Sequence, residues 1–206
     1  MIPNGRSVVE QRIADVRDGL GQVVESADLL TRWASALVDA FSEGATLFVA
    51  GNGGSAALAS HLSGELLGRY QGERRPLPGV WLGADQATLT AVGNDYGFAN
   101  VFARQVIALA RPGDVVLLLS TSGRSNNLLA AAAAAREVGC ECWSMTGPAP
   151  NPLADVSDHV LTYQGSTPLV QEFQQIAVHL LCELIDAELS AVDAGAIVGA
   201  DQAAAV

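Results

Sequence analysis

Apolar residues recur at helical spacing from Val8 to Ser42, through Ile13, Val16, Leu20, Val23 and Val24, then Leu29, Leu30, Trp33, Leu37, Val38 and Phe41. The run is interrupted near Gly19 and Gly21, so it predicts two helices or one long helix with a break. After Glu43 and Gly44 the pattern changes. TLFVAG is a short β-prone run, and VWLG (80–83), DVVLLLS (114–120), ECWSMTG (141–147) and DHVLTY (158–163) repeat it. Helical patterns lie between these runs at 55–68, 85–93, 97–109 and 125–138, and a last helix is expected from about Pro168 to Val192. Strands separated by helix-length segments imply βαβ crossovers. The predicted fold class is therefore α/β, a doubly wound three-layer sandwich with a five-stranded parallel sheet flanked by helices.

Three segments follow from these patterns. Residues 1–44 form an N-terminal helical segment, 45–192 the α/β domain, and 193–206 an Ala-, Gly- and Val-rich tail without period, read as flexible. The AAAAAA run at 130–135 is helix, since Ala is the strongest helix former.

Composition narrows the function classes. At 206 residues, half of them hydrophobic, the chain can bury one good core, and no stretch is apolar enough to span a bilayer. The start, MIPNGRSVVEQR, lacks the basic segment, apolar run and small-residue site of an export signal, so a cytoplasmic location is the default expectation. Cys140, Cys142 and Cys182 are odd in number and sit in apolar surroundings that suit reduced, buried thiols. A net charge of −11 repels nucleic acids and anionic membranes, and the 11 Lys and Arg residues are dispersed apart from the pair Arg74 and Arg75. An anionic metabolite can still bind, because helix N-termini and loop amides act at short range.

Two corners suit such an anion. Gly51, Asn52, Gly53, Gly54 and Ser55 follow TLFVA, and Ser120, Thr121, Ser122, Gly123, Arg124 and Ser125 follow VVLLL. Glycines let backbone approach a ligand, and hydroxyls add donors. Taken singly, either loop reads equally as a helix cap and a turn. Two such loops after two parallel strands favour a shared anion site. GNGGS lacks the order of a dinucleotide fingerprint, and no P-loop Gly-Lys-Ser/Thr occurs. On the helix after the first loop, His61 and Glu65 stand at i and i+4, a spacing that serves a surface pair as well as an acid–base pair. On the last helix Gln171, Glu172, Gln175 and His179 form a polar row inside an apolar pattern. His159, on a predicted strand without polar company, is read as structural.

GNGGSAA with the following His61 and GELLGRY, then TAVGNDYGF (90–98), STSGRS (120–125) and QEFQQIAVHLLCELID (171–186) occur in order. Together they resemble the sugar isomerase (SIS) domain family, and within it the phosphoheptose isomerases, over residues 45–186. The resemblance implies a phosphosugar-binding domain that converts D-sedoheptulose 7-phosphate to D-glycero-D-manno-heptose 7-phosphate through an enediol, for heptose-nucleotide biosynthesis. It implies Glu65 and His179 as the acid–base pair. One group removes the proton beside the carbonyl and the other moves a proton between the enediol oxygens. Ser55, Ser120, Thr121, Ser122 and Ser125 would grip the phosphate together with Gly53 and Gly54, while Asn52, Arg69, Asp95 and Gln171 lie near the sugar. Some members also bind zinc through residues matching His61, Glu65, Gln171 and His179. Asp95 within GNDYG also suits a turn, and Arg69 also suits a surface ion pair.

Departures from the family pattern are Leu58, where many members carry Asp, Ser60, where Gln or Met is frequent, and Arg124, often Asn, which adds a positive charge at the phosphate corner. With ~1.5 Å rise per residue, Glu65 lies roughly 15 Å along its helix from Ser55, long for one heptose phosphate to bridge. A second subunit would complete the site, in line with the homotetramers the resemblance implies, and the N-terminal helices suit packing between subunits. The alternatives within reach are isomerisation of another phosphosugar and a non-catalytic SIS protein that binds a partner or senses a phosphosugar.

Overall fold

A computed structural model describes the backbone of residues 4–203 and the side-chain surroundings of residues 4–191. Strands Leu47–Gly51 (β1), Gly79–Trp81 (β2), Val115–Ser120 (β3), Glu141–Thr146 (β4) and His159–Thr162 (β5) form one sheet in the order β2-β1-β3-β4-β5. Every pairing is parallel. All residues of β1 and β3 are buried, so these strands read as unbroken apolar runs rather than alternating ones. Alternation survives as a choice of face. Leu47, Val49, Leu117 and Leu119 enter one core, whereas Phe48, Ala50, Val116 and Leu118 enter the other.

The helices are Gly5–Gly19 (α1), Gly21–Glu25 (α2), Ala27–Ser42 (α3), Gly54–Leu67 (α4), Gln86–Tyr96 (α5), Ala103–Leu109 (α6), Asn126–Val138 (α7), Pro152–Val156 (α8) and Thr167–Ala203 (α9). The break expected near Gly19 and Gly21 is present and is followed by a second at Ser26, with both joints, Leu20 and Ser26, in helical conformation. Ser26 suits a joint because its hydroxyl donates to Val23 O, competing with the helix ladder. The missing Cβ of Gly19 leaves room for the Phe173 ring of α9. On the first face of the sheet α3 lays Leu30, Trp33, Leu37 and Phe41 against α4 and α9, and Trp33 stacks on Trp143 of β4 at 4.8 Å between centroids. The second face carries α6, α7 and α8, with Leu89 and Val92 of α5 only partly buried.

Some expectations need adjusting. The helix expected over 97–109 divides into a 3-10 turn, Phe98–Asn100, and α6, with the joint residues Val101 and Phe102 in helical conformation, while Gly97, at φ +82°, turns the chain out of α5. GNDYG is accordingly not a turn, since α5 continues through Asp95 to Tyr96. The short α8, unforeseen, starts at Asn151, whose side chain accepts from Ala154 N with Pro152 in the first helical position. His159 has polar company after all: its Nε2 lies 3.7 Å from a Glu141 carboxylate oxygen, and its ring stands edge-on to Trp143. Backbone of the segment read as a flexible tail continues α9 to Ala203, as its Ala content favours, and 204–206 lie outside the described residues. Among the described residues no helix is long and apolar enough to cross a membrane.

All three cysteines are free and buried. Burial pushes the thiols up, Cys140 and Cys142 to about 11 and Cys182 to about 12. Thiols so raised stay protonated at pH 8 and react poorly. The native protein is expected to leave a disulfide-exchange reagent such as Ellman's unreacted at pH 8, and to titrate all three thiols once unfolded in guanidinium.

Candidate active site

The strand order reverses between β1 and β3. The chain leaves β1 for β2 on one side and returns to β3 on the other, and the crevice beyond the strand ends at such a point is where open α/β sheets hold ligands. Gly51 pairs with Leu119 in the β1–β3 register, so the loops after both strands emerge side by side. These are the two loops singled out in the sequence.

In the first loop Gly53 adopts φ +55°, a conformation that leaves the head of α4 without a side-chain cap. A Cβ on Gly51 would meet Ser55 O at 2.5 Å, so only glycine lets the loop fold back this tightly. Ser55 is buried at the first turn of α4. In the second loop Ser120 is buried and its hydroxyl accepts from Gly123 N at 3.0 Å, while the Ser122 hydroxyl accepts from Arg124 N at 3.2 Å. Gly123 takes φ +61° and lies under the Asn151 amide, which itself donates to Thr146 Oγ1 and Pro148 O, so the head of α8 braces the loop from behind. Ser125 begins α7 without using its hydroxyl as a cap. Thr121 and Ser125 are half-buried, and Ser122 and Arg124 are exposed. Both helix starts lack a side-chain cap and have hydroxyls beside them, and uncapped helix N-termini are the kind of place where anions bind.

The loops are tied together by a reciprocal amide pair: Asn52 donates to Asn127 Oδ1 at 2.9 Å and Asn127 donates to Asn52 Oδ1 at 2.8 Å. Asn52 stands in a loop that the sequence singles out, whereas nothing in the local sequence distinguishes Asn127 from Asn126 beside it.

Beyond the first loop, α4 packs on α9 through Leu62 and Leu66 with Val178 and Leu181 in the first core. At the edge of that contact His61 Nε2 lies 2.9 Å from His179 Nε2 and 3.5 Å from Glu65 Oε1. The i, i+4 pair thus meets the neighbouring helix, with the His61 side chain 37% and the Glu65 side chain 21% exposed. Gln175, one turn before His179, reaches His179 Nε2 with its amide nitrogen at 2.8 Å. With the amide nitrogen as donor, His179 Nε2 accepts from Gln175, while the donor in the contact of the two imidazoles is set by their tautomers. The Tyr70 ring lies 5.7 Å from that of His179.

The remaining residues of the polar row divide. Glu172 pairs with Arg12 of α1 at 2.8 Å, and Gln174, fully buried and not foreseen, donates to Met145 O. Gln171 does not join the imidazoles: its amide lies against Gly54 at the head of α4, and eight residues of helix, about 12 Å, separate it from His179. Arg69 is exposed and donates to Gln71 O at 2.9 Å rather than to an acid. Asp95 is exposed on the last turn of α5 and accepts from Asn94, apart from the loops within this chain. Leu58 is a core residue of α4, so a carboxylate there would be buried in the apolar layer.

Two imidazoles and a carboxylate are a donor set that zinc accepts. Among the described residues, no three such groups already stand spaced as a metal cage. His61 and His179 are 2.9 Å apart, closer than the roughly 3.3 Å that two nitrogens occupy on a tetrahedral zinc with bonds near 2.0–2.1 Å. The donors fit in kind, with His61, Glu65 and His179 as the fitting members and a few tenths of an ångström of parting required.

Residues 13–147 match the model of the SIS domain. Over 183 residues the chain is 47% identical to the phosphoheptose isomerase of Streptomyces coelicolor, which spans 88% of this chain and 79% of that one. Its fold superposes on the phosphoheptose isomerase of Neisseria gonorrhoeae with a TM-score of 0.84 at 31% identity, covering 89% of this chain and 100% of that one. That of Francisella tularensis gives a TM-score of 0.80 at 33% identity, covering 87% and 98%. The chain belongs to the SIS-domain family and, within it, to the phosphoheptose isomerase family.

Asn127→Ala would leave the Asn52 amide without its partner. It is expected to lower the free energy of unfolding by about 1–3 kcal/mol, read from guanidinium titration. A loss well below that would mean that the two loops hold each other without the amide pair.

Proposed function

We propose that this protein isomerises D-sedoheptulose 7-phosphate to D-glycero-D-manno-heptose 7-phosphate through an enediol. The observation that carries the reading is the meeting of Glu65, His61 and His179 at the contact of two helices, one of which begins in the anion-binding loops. The names of the relatives support the substrate class. The phosphate is held by the heads of α4 and α7 and by Ser55, Ser120, Thr121, Ser122 and Ser125. Asn52, Gln171, Arg69 and Asp95 stand toward the sugar, the last two from exposed positions that a neighbouring subunit can face. Glu65 takes the proton from the carbon beside the carbonyl and returns a proton to the former carbonyl carbon. His179 moves the proton between the two oxygens, with Gln175 beside its ring. His61, Glu65 and His179 would hold zinc, which when bound supplies Lewis-acid polarisation of the substrate oxygens.

The working form in this reading is a cytoplasmic homotetramer. In support, α1 has no buried residue and exposes Val8, Val9 and Ile13, and α5 likewise has none and ends beside exposed Tyr96 and Phe98. Such surface is costly to leave in water.

Turnover of sedoheptulose 7-phosphate in D₂O, followed by NMR with and without zinc, should give the aldose phosphate with deuterium at C2. Glu65→Gln should lower kcat by about 10² to 10⁴-fold; an unchanged rate would remove Glu65 from the mechanism, and absence of product from the wild type would remove the substrate. Light scattering should report the mass of four chains, and a fully active monomer would exclude a shared site.

A further inference from the structure

Arg74 lies in the connection between α4 and β2, and its side chain is only 9% exposed. Nothing about the proposed chemistry places it near substrate. Yet its guanidinium is engaged on every side. Nη2 donates to Glu65 O at 2.7 Å, Nη1 donates to Leu66 O at 2.9 Å and to Arg75 O at 3.0 Å, and Nε pairs with Asp186 Oδ1 of α9 at 2.7 Å.

These partners have a pattern. The carbonyls of Glu65 and Leu66 belong to the last turn of α4, where helix carbonyls lack intrahelical donors and carry the negative end of the dipole. Gly68 follows as the C-cap with φ −87° and ψ −115°; besides Arg74, the helix end is closed by the Gly68 N–H to Gly64 O and by the Leu77 N–H to Leu66 O, while no backbone donor to Glu65 O is seen among the described residues. Asp186 lies seven residues after His179, two turns along the same face of α9. One planar fork therefore spans from the backbone of Glu65 to the helix that carries His179. A guanidinium suits the task because its donors point in fixed directions and it stays charged when buried.

We infer that Arg74 is a positioning residue for the acid–base pair, fixing the last turn of α4 against α9 so that the Glu65 carboxylate and the His179 imidazole face one reacting carbon. The inference rests on the isomerase reading above. Hydrophobic packing at Leu62 and Leu66 holds the two helices together but is non-directional, and sliding one helix along the other by a fraction of a turn would keep much of the apolar contact while separating the two reacting groups. Directional bonds to Glu65 O and Asp186 remove that freedom.

The test is steady-state kinetics on sedoheptulose 7-phosphate, normalised to folded protein and run well below the melting temperature of each variant. Arg74→Ala is expected to lower kcat by about 10- to 100-fold with KM little changed, because the phosphate loops at the other end of α4 are untouched. Arg74→Lys, which keeps the charge but cannot reach both carbonyls and Asp186 at once, should fall between the two, and Asp186→Asn, which keeps an acceptor for Nε, should lose least. If Arg74→Ala does not fold, the Lys and Asn variants carry the test. A folded variant series with wild-type kcat, or one in which KM alone rises, would overturn the positioning role. Wild type without product would instead sink the isomerase reading and the positioning role with it, so the two failures are told apart by the wild-type control.

Discussion

The parallel pairing of β1 with β3 is the constraint on which the rest of the molecule depends. Five residues of β1 register with five of β3, and every one of them is buried. Because the chain departs from this pair in opposite directions, the pairing creates both the central core and the crevice beyond it. The glycine and hydroxyl loops have no choice but to leave the sheet as neighbours. Their amides and hydroxyls are brought together through the strand register, and the Asn52–Asn127 pair, which joins residues 75 apart in sequence, ties the two loops to each other.

The second constraint is the packing of α4 on α9. Its apolar centre belongs to the first core, and the proposed acid, base and second imidazole occupy its edge. The head of α4 lies at the first glycine loop, and its last two turns carry His61 and Glu65. A helix is a stiff spacer of ~1.5 Å per residue, so the separation between that loop and these two residues is set by secondary structure once α4 is in place. What remains adjustable is how α9 sits beside it. Gln175 at the ring of His179 and Arg74 at the far end of α4 are the polar contacts that act on this adjustment.

The chain's place in the phosphoheptose isomerase family rests on most of its length rather than on any one position. Leu58 shows how a departure from the family pattern is accommodated: as a buried residue of α4 it adds to the apolar layer.

The five strands, most of the helices and the two loops were legible in the sequence because they rest on periodicity and on glycine and proline chemistry, which act over a few residues. The same local rules placed His61 above Glu65. They could not say whether that face met solvent or α9, and they overestimated the reach of α6, whose first turn is a separate 3-10 helix. Which polar residues of α9 gather is also a tertiary matter: Gln175 rather than Gln171 meets His179, Glu172 answers to Arg12, and Gln174 to a strand carbonyl. The cross-helix roles of Arg74 and Asn127 carry no local sequence signal, since Asp186 and Asn52, which they meet, are 112 and 75 residues away. The sequence by itself determined the elements and the kinds of groups available for chemistry. The tertiary structure decided which of those groups share a place, because contacts between residues far apart in sequence depend on strand register and helix packing, and neither is encoded within any one segment.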